Sequence, residues 1–99
     1  MRGQFHTPSL RNVASGGQAL PVVVDVREPD SVKAAVEAAA ERFGGIDICI
    51  NNASAISPTG TLDTEMKRYD LMNEINTRGT FLVSKTCLPF LKQGTNAHI

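Results

Sequence analysis

Residues 20–50 read LPVVVDVREPDSVKAAVEAAAERFGGIDICI, and the changes of character along this stretch decide the fold. Leu20-Pro21-Val22-Val23-Val24-Asp25-Val26 is a short, nearly unbroken β-branched run. Ile46-Asp47-Ile48-Cys49-Ile50 is a second apolar run, closing on the turn-prone Asn51-Asn52. Between them Val32, Val36, Ala39 and Phe43 recur at helical spacing and share one face. Lys33, Glu37, Glu41 and Arg42 occupy the other. Pro29-Asp30 supplies a start signal, because proline suits the first turn and an acid suits the positive end of the macrodipole. Gly44-Gly45 supplies the stop. Two short apolar runs joined by a helix read as buried parallel strands of a right-handed βαβ unit.

Working outward, Asn51 to Asp63 is rich in Asn, Ser, Pro, Gly and Thr, which predicts a loop leaving the carboxyl end of the second strand. Met66, Tyr69, Leu71, Met72 and Ile75 then fit one helical segment, and Phe81, Leu82, Thr86, Phe90 and Leu91 another. Asn76-Thr77-Arg78-Gly79 between them predicts a kink or break, and Pro89 a bend near the end. Gly94-Thr95-Asn96 turns the chain, and Ala97-His98-Ile99 reads as the opening of a third strand. Upstream, Leu10, Val13 and Ala14 fit a short helix closed by Gly16-Gly17. The order helix, strand, helix, strand, loop, helix, strand is α/β. It predicts an incomplete Rossmann-type fragment of a doubly wound parallel sheet, with about two full strands and flanking helices.

The 99 residues carry ten Lys+Arg against ten Asp+Glu, so the chain is formally neutral. Nucleic acid and anionic membrane surfaces, which need clustered positive charge, are therefore not expected partners. No apolar run approaches the roughly 18 residues of a spanning helix, and Met1 to Leu10 lacks the apolar stretch of a signal peptide. Cys49 and Cys87 have neither CxxC nor Cys/His spacing, which predicts reduced core thiols with no metal site and no disulfide framework.

Ligands of open parallel sheets bind beyond the carboxyl ends of the strands. Asp25-Val26 and Asn51-Asn52-Ala53-Ser54 both fall there. A carboxylate can accept a hydrogen bond from a base or sugar, and small residues let a ligand approach the backbone. Taken singly, Asp25 reads as a loop acid or helix cap and Asn51-Asn52 as turn formers. Their coincidence at one edge of one sheet makes them binding candidates.

The succession Val24-Asp25-Val26, Phe43-Gly44-Gly45-Ile46-Asp47, Ile50-Asn51-Asn52-Ala53-Ser54 and Asn76-Thr77-Arg78-Gly79-Thr80 resembles the central part of a short-chain dehydrogenase/reductase. The match is close from Gly16 to Thr80 and loose over Met1 to Ser15. The resemblance implies hydride transfer between NADP(H) or NAD(H) and a small-molecule carbonyl or alcohol. It implies that Asp25 and Val26 border the adenine, and that Asn52, Ala53 and Ser54 line the adenosine-ribose side. Ser54 stands where most of the family has Gly. Asn76 matches the helix-kinking Asn of the family's catalytic tetrad, which holds a water near the catalytic Lys. Assembly of copies through the helix at 64–92, and a peroxisomal or mitochondrial setting, are implied in the same way.

Two family motifs have no counterpart. The glycines are Gly3, Gly16, Gly17, Gly44, Gly45, Gly60, Gly79 and Gly94, and none gives the GxxxGxG spacing that anchors a pyrophosphate at a helix N-terminus. The only tyrosine, Tyr69, is followed four residues on by Asn73, so YxxxK is absent and no general acid is assigned. The family's catalytic Ser is expected beyond Ile99, and Ser84-Lys85 reads as surface or packing. Residues 1–99 are thus expected to form a partial dinucleotide-binding domain lacking the first strands and the C-terminal catalytic half, and to catalyse nothing alone. A non-catalytic interaction fragment pairing through 64–92 is the competing reading, and an unrelated small α/β signalling or binding module the third. Unpaired strand edges predict weak hydrogen-exchange protection at Val22 to Asp25.

Overall fold

A computed structural model describes residues 14–99. Helix α1 spans Pro29–Phe43, a 3-10 turn Thr61–Asp63, helix α2 Met66–Asn73, a π-helical segment Glu74–Gly79 and helix α3 Thr80–Leu91. The short helix expected around Leu10 lies outside the described residues except for Ala14.

Helix α1 forms as its local signals dictate. Glu28 is extended at the N-cap, Pro29 opens the first turn and Asp30 sits at its positive end. Gly44 closes the helix in the left-handed region at φ 83°, and its N–H donates to the Ala40 carbonyl at 2.8 Å. Val32 and Val36 are buried, but Phe43 is 47% exposed, with the Arg42 guanidinium 5.3 Å from its ring centre.

The break expected at Asn76 to Gly79 is a widening instead. Helices α2 and α3 run on through the π-helical turn, which takes up the poor helix formers without interrupting the rod. Pro89 lies inside α3. Helix α1 packs against α3, and Val32, Val36, Cys49, Cys87 and Leu91 form the core, flanked by Val24, Ile46, Leu82, Val83 and Phe90.

The two expected strands are not formed among the described residues. The single ladder contact is a parallel bridge between Ile48 and His98. In it the His98 N–H donates to the Asp47 carbonyl and the Cys49 N–H to the His98 carbonyl, each at 3.0 Å. The third apolar segment thus pairs with the second, whereas no backbone hydrogen bond joins the first to the second. A helical crossover makes two strands parallel without making them neighbours. In the doubly wound order 3-2-1-4-5-6, the third and fourth strands are separated by two others, and extended backbone without a neighbour has no ladder. Burial on both faces also fails. Val22 and Val24 are half-buried while Val23 is 62% exposed, and Cys49 is buried between Ile48 at 62% and Ile50 at 80%. This is the period-two alternation of a sheet covered by helices on one face.

Candidate functional site

The loop after the first apolar segment is tied down by its own polar groups. The Asp25 N–H donates to Ser31 Oγ at 2.9 Å, on the first turn of α1, and the Glu28 N–H donates to the Asp25 carbonyl at 3.0 Å. The Asp25 carboxylate accepts from Arg27 three times. The Arg27 backbone N–H and Nε reach Oδ1 at 3.0 Å each, and Nη2 reaches Oδ2 at 2.8 Å. These bonds and the carboxylate charge raise the pKa of the Arg27 guanidinium above its ordinary value. Arg27 also walls an open groove of about 800 Å³, completed by Glu65, Lys67, Arg68, Asp70, Leu71 and Glu74.

Val26, between them, is buried against Gly79. A methyl group built on Gly79 would lie 2.8 Å from Val26 Cγ2, so only glycine permits this approach of helix to loop. One residue earlier, Arg78 Nη1 donates to the Arg27 carbonyl at 2.7 Å. Loop 25–27 is therefore held on the last turn of the π-helical segment by a side-chain contact and a charge-assisted hydrogen bond.

The second loop docks on the same segment. Asn76 presents both ends of its amide to one residue. Its Oδ1 accepts the Ala55 N–H at 2.9 Å and its Nδ2 donates to the Ala55 carbonyl at 2.8 Å. Thr80 Oγ1 donates to the Asn76 carbonyl at 3.3 Å. Nearer the root of the loop, Asn51 Nδ2 donates to Ser84 Oγ at 3.0 Å, which gives Ser84 a packing role on α3. Between these anchors Ala53 is half-buried. Asn52 and Ser54 are exposed and bond to no other described residue.

Asp25, Val26, Asn52, Ala53 and Ser54 thus lie on two loops that converge on one stretch, Asn76 to Gly79. Asn51, read with these residues as a binding candidate, joins the arrangement; Arg78, Gly79 and Ala55 complete it and were not singled out as site residues from sequence. Only the presence of Arg78 and Gly79 in the Asn-Thr-Arg-Gly block pointed toward them. The side-chain amide of Asn76 is engaged with backbone, so it positions a loop. Among the described residues, no cluster of three or more His, Cys, Asp or Glu side chains is placed to hold a metal ion. None of their helices is long and apolar enough to cross a membrane.

Apolar segments whose carboxyl-end loops meet on one long helix accord with an α/β fold, and the chain belongs to the short-chain dehydrogenase/reductase family. The family model described as Enoyl-(Acyl carrier protein) reductase matches residues 4–99. The chain is 59% identical over 97 residues to hydroxysteroid dehydrogenase-like protein 2 of Rattus norvegicus, covering 98% of this chain and 18% of that protein. The protein of the same name from Homo sapiens is 57% identical over 97 residues, again covering 98% of this chain and 23% of the relative. The chain therefore spans about a fifth of the length of these relatives. Among solved structures, a short-chain dehydrogenase from Mycobacterium thermoresistibile is similar with a TM-score of 0.91 and 49% identity, over 96% of this chain and 34% of that one. A Xanthomonas campestris structure gives the same TM-score, 0.91, with 53% identity, over 96% of this chain and 36% of that one.

Proposed function

We propose that this chain is a segment of an NADP(H)- or NAD(H)-dependent short-chain oxidoreductase akin to hydroxysteroid dehydrogenase-like protein 2, supplying the adenosine side of the cofactor site and inactive alone. Convergence of loops 25–27 and 52–55 on Asn76 to Gly79 carries this reading. The residues fit the adenosine half of the group. Asp25 offers a carboxylate held in one orientation, Val26 an apolar neighbour, and Ala53 a small residue beside the exposed Asn52 and Ser54. They do not fit the pyrophosphate, because no glycine loop of the family spacing is present. When bound, the nicotinamide exchanges hydride with a carbonyl or alcohol, and a lipid or steroid-like substrate accords with the name of the similar proteins. The contribution of this chain is to orient. Asp25 accepts from an exocyclic amine, Asn52 to Ser54 border the ribose, and Asn76 fixes the loop that carries them. In the catalytic reading, the Asn76 carbonyl is the group that holds a water. Peroxisome or mitochondrion is the proposed compartment, on resemblance alone.

Two measurements test this. Adenosine diphosphate ribose titrated into isotopically labelled chain should shift the amide signals of Asp25 to Arg27 and Asn52 to Ala55; shifts elsewhere, or none at millimolar ligand, count against the site. Purified chain free of host reductase should leave NADPH unconsumed with any carbonyl compound, and measurable turnover would overturn the predicted inactivity.

A second reading is a non-catalytic interaction fragment. Met66, Tyr69, Phe81 and Leu88 stand exposed along the helix, between 46% and 67% accessible, and offer an apolar surface to another copy. Absence of co-elution with a full-length subunit in size-exclusion chromatography would remove it.

A further inference from the structure

The cofactor-edge residues leave one chemically reactive feature unused. Cys49 and Cys87 are both free and buried, in the same core cluster. Asn51 draws them together. Its Nδ2 lies 3.0 Å from Ser84 Oγ and 3.8 Å from Cys49 Sγ, so the Cys49 sulfur is held beside the turn of α3 that begins at Ser84. Cys87 is three residues further along that helix, on the same face. The two thiols share one buried cluster with Val32, Val36 and Leu91, close enough for each sulfur to bear on the other's charge.

We propose that Cys49 and Cys87 form a dithiol site that exchanges with a small-molecule disulfide of the glutathione type to close an internal disulfide between the second apolar segment and α3. One cysteine, as thiolate, attacks a sulfur of the small disulfide and expels one thiol, leaving a mixed disulfide. The other cysteine then attacks the protein sulfur and expels the second thiol. Two protein thiols are oxidised, one small disulfide is reduced to two thiols, and the two protons pass to the departing thiolates. The product bond fixes the root of loop 51–55, so the same reaction stiffens the loop that bears Asn52 to Ser54.

Burial and the neighbouring sulfur push the Cys87 thiol up to about 11. The closed core is therefore nearly all thiol at neutral pH, and exchange proceeds through local opening. The informative quantity is accordingly the equilibrium, which burial of the reactant does not obscure. The purified chain is equilibrated in mixtures of reduced and oxidised glutathione, in buffer and in denaturing urea, then quenched in acid, alkylated and weighed. Because the fold already holds the sulfurs together, the dithiol-to-disulfide equilibrium constant should be about tenfold or more larger in buffer than in urea. By linkage, the oxidised chain should melt at higher temperature than the reduced one. Equal or smaller constants in buffer, an unchanged or lowered melting temperature, or a glutathione mixed disulfide as the main product would each overturn the proposal. The single-thiol variants Cys49→Ser and Cys87→Ser should take up glutathione in urea and resist it in buffer. Equal uptake in the two media would show that the thiols are not held in the core, and would overturn it as well.

Discussion

Replacing Gly79 by alanine sets two effects of known sign against each other. Alanine is favoured over glycine inside a helix by up to about 1 kcal/mol. The new Cβ would lie 2.8 Å from Val26 Cγ2, 3.2 Å from Val26 Cβ and 3.2 Å from the Glu74 carbonyl oxygen. Carbon atoms rest at about 3.5 to 4.0 Å, so the closest contact is short by about 0.7 Å or more. Neither side yields easily. The alanine Cβ is fixed to the helix backbone, and a β-branched valine has little rotamer freedom. Loop 25–27 must therefore back away, stretching the 2.7 Å bond from Arg78 to the Arg27 carbonyl. Overpacking of this kind costs about 1 to 3 kcal/mol. Set against the helix gain, the expected net loss is about 1 kcal/mol, or about 4 to 8 °C in a chain of this size. Thermal and urea unfolding followed by far-ultraviolet circular dichroism measure it. Gly60→Ala is the control, because its Cβ meets nothing nearer than Asp63 Oδ2 at 3.8 Å; it should be neutral or stabilising by up to about 1 kcal/mol. In a Val26→Ala background the 2.8 Å contact with Cγ2 is removed and only the 3.2 Å contacts with the Cβ and the Glu74 carbonyl remain, so Gly79→Ala should cost markedly less. A Gly79→Ala chain as stable as the parent, or additive effects in the double variant, would refute the close-approach argument.

The remaining expectations are briefer. Asn76→Asp keeps an acceptor for the Ala55 N–H but sets a carboxylate against the Ala55 carbonyl, so it should cost about 1 to 2 kcal/mol at neutral pH. The deficit should shrink below about pH 4 as the carboxyl regains a proton to donate; a pH-independent deficit would contradict this. Arg78→Ala should speed amide exchange through residues 25–28, and unchanged rates there would show that the bond to Arg27 holds nothing. The folded-state pKa of Cys87, about 11, lies above its ordinary value of 9.0. The stability it contributes is therefore complete below about pH 9 and lost as pH rises through 11, relative to Cys87→Ala measured in parallel. Amides of Val22 to Val24 should exchange faster than those of Val32 to Val36, and slow, cooperative exchange in the first segment would mean that it is paired.

Helix α1 was legible because everything that specifies it is local: a proline in the first turn, an apolar face at helical spacing and a left-handed glycine at the end. The strand pairing was not, because a run such as Leu20 to Val26 states its own conformation and not which segment lies beside it. Phe43 shares the apolar face of α1 with Val32 and Val36 yet stands 47% exposed, and Met66, Tyr69 and Phe81 on the long helix stand 67%, 52% and 67% exposed. The site divides in the same way. The position of Asp25 and Asn52 to Ser54 just past apolar runs follows from chain order. The anchors that gather them join residues 21 apart, Ala55 and Asn76, and 51 apart, Arg27 and Arg78, which no local pattern encodes.

The π-helical turn also sets an angle. Residues three apart on an α-helix point within about 60° of each other. On that geometry Asn76 and Gly79 would compete for one neighbour. The wider turn spreads them, so that one residue meets Ala55 while the other meets Val26, and the two loops are held apart like the jaws of a fixed caliper. Deleting Thr77 would let the turn relax to α-helical pitch and leave Asn76 and Gly79 two residues apart, about 160° from each other around the axis. Both loops could not then stay docked on the same rod. The opening between them is thus gauged by one supernumerary residue in a helix, and by neither loop itself.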